Sequence, residues 1–368
     1  MNDTAMYTPQ ISFEPLASAS LRRRLLLPVG AVAMSLVLCS GLVMLAGTNP
    51  LNAYLIMFKA ALGGKVQLTE TLAKSAPMML TGLAALVAFR ARFWNIGGEG
   101  QLLAGAMLAA YVGGLSTLPA WSLIPLMVIG GFVAGGLLAI VPALLKTTFK
   151  VDDVVATLML NFIVFFAMTA LLSGPWKDST TGWPDSPDIR SAAEFPVLLR
   201  ATRLHLGVLI AVIAVAVVWL VLKRSTLGFS IDAVGANARA AHHGGMNVTR
   251  VIVTAAAISG GLAGLAGVGE VGGIHYQVMA SISPGYGFSG LVVAMLARLE
   301  PVGVIPAAIF LAAITAGADE MSRQTGVPVY LADVIQGVAL LSMLVALLFL
   351  DRRLRIHWRS AESKVSLP

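Results

Sequence analysis

The chain has 368 residues, of which 57% are hydrophobic and only 12% are charged, and its mean hydropathy is +0.84. Soluble domains carry about 25% charged residues, so this chain has too little polar surface to cover a globule in water. The composition therefore excludes an ordinary soluble domain and indicates that lipid surrounds most of the chain. The net charge of +7 arises from short basic clusters at the ends of apolar runs, a pattern typical of membrane topology signals and not of nucleic-acid binding.

Uncharged runs of about 17 residues or more, divided at Pro, Gly and Trp, predict about ten transmembrane helices. They cover residues 25–47, 71–89, 96–116, 121–145, 154–173, 205–222, 251–268, 284–298, 301–318 and 331–350. The predicted fold class is all-α, a polytopic integral membrane protein with broken or re-entrant segments. The third and eighth runs are the weakest candidates for membrane spans, because the third begins beside Glu99 and the eighth follows the loop-like stretch 281–285.

Most Lys and Arg residues fall on one side of the predicted membrane if the N-terminus is cytoplasmic, and an even number of spans then places the C-terminus there too. We accordingly divide the chain into a cytoplasmic segment 1–20, a transmembrane domain 21–350 and a cytoplasmic tail 351–368. The outer loop 174–204 contains two Trp and four Pro residues, which favours an ordered surface for an extracytoplasmic partner. The inner loop 223–250 is glycine-rich and long enough for a short helix lying along the membrane.

No nucleotide or catalytic motif is present, since the chain lacks GxxxxGK[ST], HExxH and GxSxG. His242 and His243 are adjacent and so do not share a helix face, and the single cysteine gives no metal site. We therefore predict a protein that is not an enzyme and that has no catalytic residue, no metal and no cofactor.

Glycine spacing predicts close helix packing at several positions. Small residues four apart let helices approach each other in lipid, and this spacing occurs in the pairs Gly131 with Gly135 and Gly260 with Gly264. A GxGxxG spacing also occurs at 267–272, but it follows an apolar helix instead of a strand, so packing is a better interpretation than dinucleotide binding.

Strongly polar residues open or follow two of the apolar runs, and one lies inside a third. They are Asn95, Glu99, Gln101, Asn161, Glu270, His275 and Gln277. Because a charged side chain in hydrocarbon costs about 2.5–3.5 kcal/mol on insertion scales, we expect these residues to line a solute path or to brace re-entrant backbone. The alternatives are that Glu99 pairs with Arg92 at the inner interface, that Glu270 lies among the outer headgroups, and that Asn161 makes a helix-to-helix hydrogen bond.

Three separated motifs carry a resemblance to a known family. The segment FWNIGGEGQ at Phe93–Gln101 resembles the FNIGxEGQ signature of permeases of the branched-chain amino acid, ribose and nucleoside class of ABC importers. VDDVVATLMLN at Val151–Asn161 and the glycine-rich inner loop from Gly235 resemble two further segments of the same family. The similarity covers residues 70–345 and is closest to the nucleoside branch.

The resemblance implies a mechanism and a set of partners. Two permease subunits, the same or homologous, would form the pathway in the bilayer, two cytoplasmic ATPase subunits would hydrolyse ATP, and an extracytoplasmic binding protein would deliver the solute. The inner loop would couple the permease to the ATPase through Gly235, Asn237, Arg239, Ala240, Ala241 and Gly245. The solute would be a nucleoside or, alternatively, a simple sugar or a riboflavin-like molecule, and the location would be the bacterial inner membrane. A secondary transporter or channel is the main rival, followed by an intramembrane enzyme.

Overall fold

A computed structural model describes residues 7–15, 21–179 and 182–360 of the chain. Parts of the predicted N-terminal segment and C-terminal tail, residues 1–6, 16–20 and 361–368, lie outside this range. The chain divides into two compact units, the smaller made of residues 1–53 and 327–368 and the larger of residues 54–326.

Within the described residues the regular structure consists of thirteen α-helices, three short helices of other types and two strands. In chain order these are β1 (Tyr7–Pro15), α1 (Leu21–Leu45), α2 (Pro50–Leu62), α3 (Lys65–Arg90), α4 (Gly98–Gly114), α5 (Ala120–Phe149), α6 (Asp153–Ser173), a 3-10 turn (Ser191–Ala193), α7 (Leu206–Arg224), α8 (Thr226–Ala236), α9 (Ala238–His243), α10 (Val248–Glu270) continued by a π-helix (Val271–His275), α11 (Tyr286–Leu296), a 3-10 turn (Pro301–Gly303), α12 (Val304–Thr325), α13 (Val329–Asp351) and β2 (Arg352–Ser360).

The smaller unit contains the two strands and the first and last long helices. β1 and β2 pair antiparallel, with Tyr7 opposite Ser360, and α1 packs against α13. The strand pair was not predicted from the sequence and is an exception to the all-helical class. The larger unit is helical, as predicted.

Six of the described helices are long and apolar enough to cross a membrane, or seven if α1 and α2 together count as one broken span. The six are α3, α5, α6, α7, α10 with its π-helical continuation, and α12 with the 3-10 turn before it. The third and eighth predicted runs form helices that are too short to qualify, because α4 has 17 residues and α11 has 11. The sequence prediction missed α2, which begins in the uncharged stretch after the first predicted span and has Lys59 in its last turn.

The core of the larger unit is built around α3 and α10, the most buried of the candidate spans, whereas only 28% and 22% of the spanning windows of α5 and α6 are buried. α10 packs against α3, α4 and α5. The two predicted small-residue motifs meet each other, since a Cβ on Gly135 would collide with the carbonyl of Gly260, and one on Gly264 with the carbonyl of Gly131. The glycines therefore let the backbones of α5 and α10 come into direct contact, as the sequence predicted.

Two half-length helices meet in the middle of the larger unit. We call the end where α3 finishes the inner end, following the predicted topology, and the opposite end the outer end. α4 runs from the middle to the outer end, where the amide of Arg190 donates to the carbonyl of Gly113 at 3.0 Å. α11 runs from the middle to the inner end, where Glu300 pairs with Lys223 at 2.9 Å. Their N-termini touch at Gly98 and Gly287.

Candidate functional site

The first break in the helical structure lies between α3 and α4, at residues 91–97. Polar side chains on one face of α6 form hydrogen bonds with the backbone of this break. Asp153, Thr157 and Asn161 are four residues apart and therefore share one face of α6. Their oxygens accept from the amides of Trp94 at 2.6 Å, Ile96 at 3.2 Å and Gly100 at 2.8 Å. The Asn161 amide also donates to the Ile96 carbonyl at 2.9 Å. Non-helical backbone at membrane depth is tolerated when protein groups satisfy it in this way.

Asn95 and Gln101 form a closed amide pair inside the same break. Each side-chain amide donates to the oxygen of the other at 2.9 Å, and Asn95 Oδ1 also accepts from the Gly97 amide at 3.0 Å. Asn95 Nδ2 further donates to Ser259 Oγ on α10 at 2.9 Å, and that hydroxyl donates to the Ala84 carbonyl on α3 at 2.7 Å. Asn95 and Gln101 are each 2% exposed and Ser259 is fully buried, so these groups tie the break to the two central helices.

Glu99 lies where the two half-helices meet. Its Oε2 accepts from the Gly287 amide at the start of α11 at 2.7 Å, and its carboxylate also interacts with the Ser283 hydroxyl. The alternative in which Glu99 pairs with Arg92 is therefore wrong, because the carboxylate is used at the start of α11. The carboxylate lies between two helix N-termini, which carry partial positive charge.

The second break follows α10 at residues 276–285, and it adjoins a group of charged side chains. Glu270 is 3% exposed, so it does not lie among outer headgroups, and its Oε2 is 3.5 Å from His275 Nε2. Its charge also interacts with that of Lys74, and Lys74 Nζ is 2.6 Å from Asp319 Oδ2. Gln277 is half-buried within the break itself. The charged side chains come from α3, α10, the π-helix and α12, and all but Glu270 are partly exposed.

The outer loop 174–204, apart from residues 180 and 181, covers the second break. The amides of Ser186, Ile189 and Phe195 donate to carbonyls of residues 278, 276 and 272 at 2.7–2.9 Å. Arg190 donates to the Leu115 and Leu118 carbonyls at 3.1 and 3.0 Å. The loop is thus an ordered layer over the π-helix and the outer end of α4.

The inner loop forms two consecutive helices, which agrees with the prediction of a helix there. In α8, Gly235 is buried, and a Cβ at this position would collide with the Arg90 carbonyl at the end of α3. Arg90 and Asp232 form a two-point ion pair next to this contact, with N–O distances of 2.8 and 2.9 Å. Only a glycine at 235 allows α8 to lie directly on the inner end of α3.

α9 projects from this anchored helix. Asn237 caps α9, since its Oδ1 accepts from the amides of Arg239 and Ala240 at 3.0 and 3.1 Å. Ala241 faces inward, whereas the other residues from 236 to 245 are exposed, and Gly245 ends the turn with φ of 85°. A cleft of about 420 Å3 beside α9 is lined by Arg92, Lys146 and Arg239 together with smaller residues.

The sequence analysis missed several residues that the structure brings to these places. They are Asp153, Thr157, Ser259, Arg90, Asp232, Lys74, Asp319 and Ser283. Asp153, Thr157 and Asn161 could have been found as a polar stripe with a period of four in an otherwise apolar run. The ion pairs could not, because their partners are 142 and 245 positions apart. Among the described residues, no group of three or more His, Cys, Asp and Glu side chains is placed to hold a metal ion.

The fold and these two breaks define a multi-pass helical membrane protein whose centre is a pair of interrupted helices. The chain belongs to the branched-chain amino acid transport system / permease component family, whose model matches residues 67–344. It is therefore the permease subunit of an ABC transporter and not itself an enzyme, and the resemblance found in the sequence is confirmed.

Three curated relatives are similar along most of their length. A guanosine ABC transporter permease of Bacillus subtilis is 35% identical, covering 86% of this chain and 92% of the relative. A glucose ABC transporter permease of Haloferax volcanii is 32% identical over 89% of both chains. A nucleoside ABC transporter permease of Lactococcus lactis is 32% identical, covering 85% of this chain and 88% of the relative. No solved structure matches the chain significantly.

Proposed function

We propose that this chain moves a nucleoside across the bacterial inner membrane, as the permease of an ATP-driven importer that works by alternating access. Two of the three relatives named above are permeases for guanosine or nucleosides, which favours this class of solute. The glucose permease makes a simple sugar the alternative, and a riboflavin-like solute is a further one. The partners are a cytoplasmic ATPase subunit, a second permease subunit and an extracytoplasmic binding protein.

The single observation that carries the mechanism is the contact between Gly235 and the Arg90 carbonyl. It joins the exposed helix α9, through α8, to the inner end of the most central helix of the molecule. In this proposal α9 sits in a cleft of the ATPase, and closure of the ATPase pair on ATP moves α8 and α3 together. Arg239 is exposed on α9 and supplies a positive charge for the contact with the ATPase.

The topology that goes with this function has ten membrane-crossing or re-entrant segments and both termini in the cytoplasm. Residues 21–350 form the transmembrane domain, with 1–20 and 351–368 as cytoplasmic segments. The inner end of the larger unit then faces the ATPase, and the outer loop faces the binding protein.

The solute path in this proposal passes the charged group at the second break, made of Lys74, Glu270, His275 and Asp319. These side chains offer both donors and acceptors for the hydroxyl and base groups of a nucleoside, and three of them are partly exposed. Asn95, Gln101 and Asn161 do not contact the solute in this proposal. Their polar atoms form hydrogen bonds within the first break and hold its backbone in place.

The test compares Gly235→Val with Gly114→Val in the assembled transporter, reconstituted in vesicles with its ATPase and binding protein. A Cβ at Gly114 meets nothing within 4 Å, so this variant is the matched control. Gly235→Val should abolish solute uptake and leave membrane insertion intact, and Arg239→Glu should reduce stimulation of the ATPase by the loaded binding protein. The control should transport normally.

Normal uptake by both Gly235→Val and Arg239→Glu would overturn the coupling role. Uptake that continues without ATP would favour a secondary transporter. The solute itself is identified by the ligand that copurifies with the cognate binding protein, and a sugar in that position would replace the nucleoside in this proposal.

A further inference from the structure

An apolar groove of about 390 Å3 opens between α3, α5, α7, α8 and α10 in the larger unit. Its walls are apolar throughout and include Val87, Phe132, Ala214, Val217, Val221 and Leu262. This groove is separate from both breaks and from the cleft beside α9. Nothing in the transport mechanism requires it.

The dimensions of the groove match one leaflet of a bilayer. It follows α7 from Ile210 to Leu222, and at 1.5 Å per residue this length is about 18 Å. Half of the hydrocarbon core of a bilayer is about 15 Å. The groove ends two residues before the basic end of α7, so it spans the leaflet on the inner side of the molecule.

A positive charge lies at the inner end of the same helix face. Val217, Val221 and Arg224 are spaced i, i+4 and i+7, so Arg224 lies on the helix face that lines the groove. The adjacent Lys223 is engaged by Glu300 at 2.9 Å. Arg224 is exposed, and no carboxylate in the described part of the chain forms an ion pair with it.

We propose that the groove is a binding site for an anionic phospholipid of the inner leaflet, with one acyl chain along α7 and the phosphate at Arg224. An acyl chain packs against walls that expose no polar atoms. A negatively charged headgroup pairs with Arg224 at the inner end of the groove. Because the occupant packs against α3 and α8 at once, its binding stabilises the connection between the central helix and the inner loop.

The test uses the full-length chain purified in detergent, with added phosphatidylglycerol or phosphatidylcholine of the same acyl composition. Phosphatidylglycerol should raise the melting temperature more than phosphatidylcholine, and native mass spectrometry should show one retained phosphatidylglycerol. Ala214→Phe fills the groove and should abolish both effects. Val212→Phe, on an exposed position of α7 outside the groove, is its control and should behave as the wild type.

Arg224→Gln tests the headgroup without altering the groove. Loss of one basic contact should weaken phosphatidylglycerol binding about fivefold, whereas Lys150→Gln, which removes another exposed cation at the inner end, should not. Equal stabilisation by the two lipids, or an undiminished phosphatidylglycerol effect in Ala214→Phe and Arg224→Gln, would overturn the proposal. So would a change from dimer to monomer in Ala214→Phe with lipid binding retained, because a second copy of the chain would then be the occupant.

Discussion

Asn95 Nδ2 donates a hydrogen bond to Ser259 Oγ at 2.9 Å, and this bond ties the break after α3 to the middle of α10. A reciprocal contact exists on the other side, where Thr81 Oγ1 in the middle of α3 donates to the Tyr286 carbonyl at 2.9 Å, just after the second break. Thus α10 binds the break that follows α3, and α3 binds the chain where the break that follows α10 ends. The half-helices that follow the two breaks run in opposite directions, α4 to the outer end and α11 to the inner end.

The first prediction concerns the Asn95 network. Asn95→Ala leaves the Gly97 amide and the Gln101 side chain without their partner in a buried place, and unsatisfied buried groups cost about 1–3 kcal/mol each. We expect a clear fall in the melting temperature of the purified protein and a loss of uptake. Ser122→Ala, which removes an exposed hydroxyl bonded only to the Pro119 carbonyl, should melt as the wild type. An unchanged melting temperature for Asn95→Ala would contradict the bracing role.

The second prediction separates the two functions of the Asn161 side chain. Asn161→Asp keeps an oxygen for the Gly100 amide and loses the donor to the Ile96 carbonyl, whereas Asn161→Leu loses both. We therefore expect a larger destabilisation in Asn161→Leu, by about 1 kcal/mol or more, measured by thermal unfolding in detergent. Met159→Leu on the exposed face of the same helix is the control. The opposite order, with Asp worse than Leu, would mean that a buried charge and not a missing acceptor dominates at this position.

The third prediction concerns Glu99. In Glu99→Gln the amide oxygen can still accept from the Gly287 amide, so the contact between α4 and α11 should survive and uptake should remain near the wild-type rate. Glu99→Ala should lose uptake because the start of α11 is released. If Glu99→Gln abolishes uptake while the melting temperature is retained, the negative charge itself acts on the solute path.

The fourth prediction concerns the ion pair between Arg90 and Asp232. The Asp232 side chain is 44% exposed, so Asp232→Ala should cost only about 1 kcal/mol of stability or less. We expect a larger effect on the number of ATP molecules hydrolysed per solute imported, because α8 loses one of its two attachments to α3. Glu300→Ala, which removes the exposed pair with Lys223, should leave this ratio unchanged. A normal ratio in Asp232→Ala would leave the Gly235 contact as the sole connection.

The sequence by itself determined the membrane environment and the family. Apolar composition and run length indicate the membrane environment, and the three sequence motifs carry the resemblance to the family, so both can be read without knowing the fold. It also located the glycines of α5 and α10 and the inner-loop helix correctly. It left open the partner of Glu99 and the surroundings of Glu270, since both depend on segments distant in the chain.

Only the tertiary structure decided which polar groups meet. Asp153 accepts a hydrogen bond from the Trp94 amide, which is 59 positions away in the chain. Asn95 donates one to Ser259, which is 164 positions away. In lipid every interrupted backbone group needs a partner, so the sequence requires such contacts without specifying them. The packing of α3 against α10, which small residues permit, is what brings these particular side chains within hydrogen-bond distance.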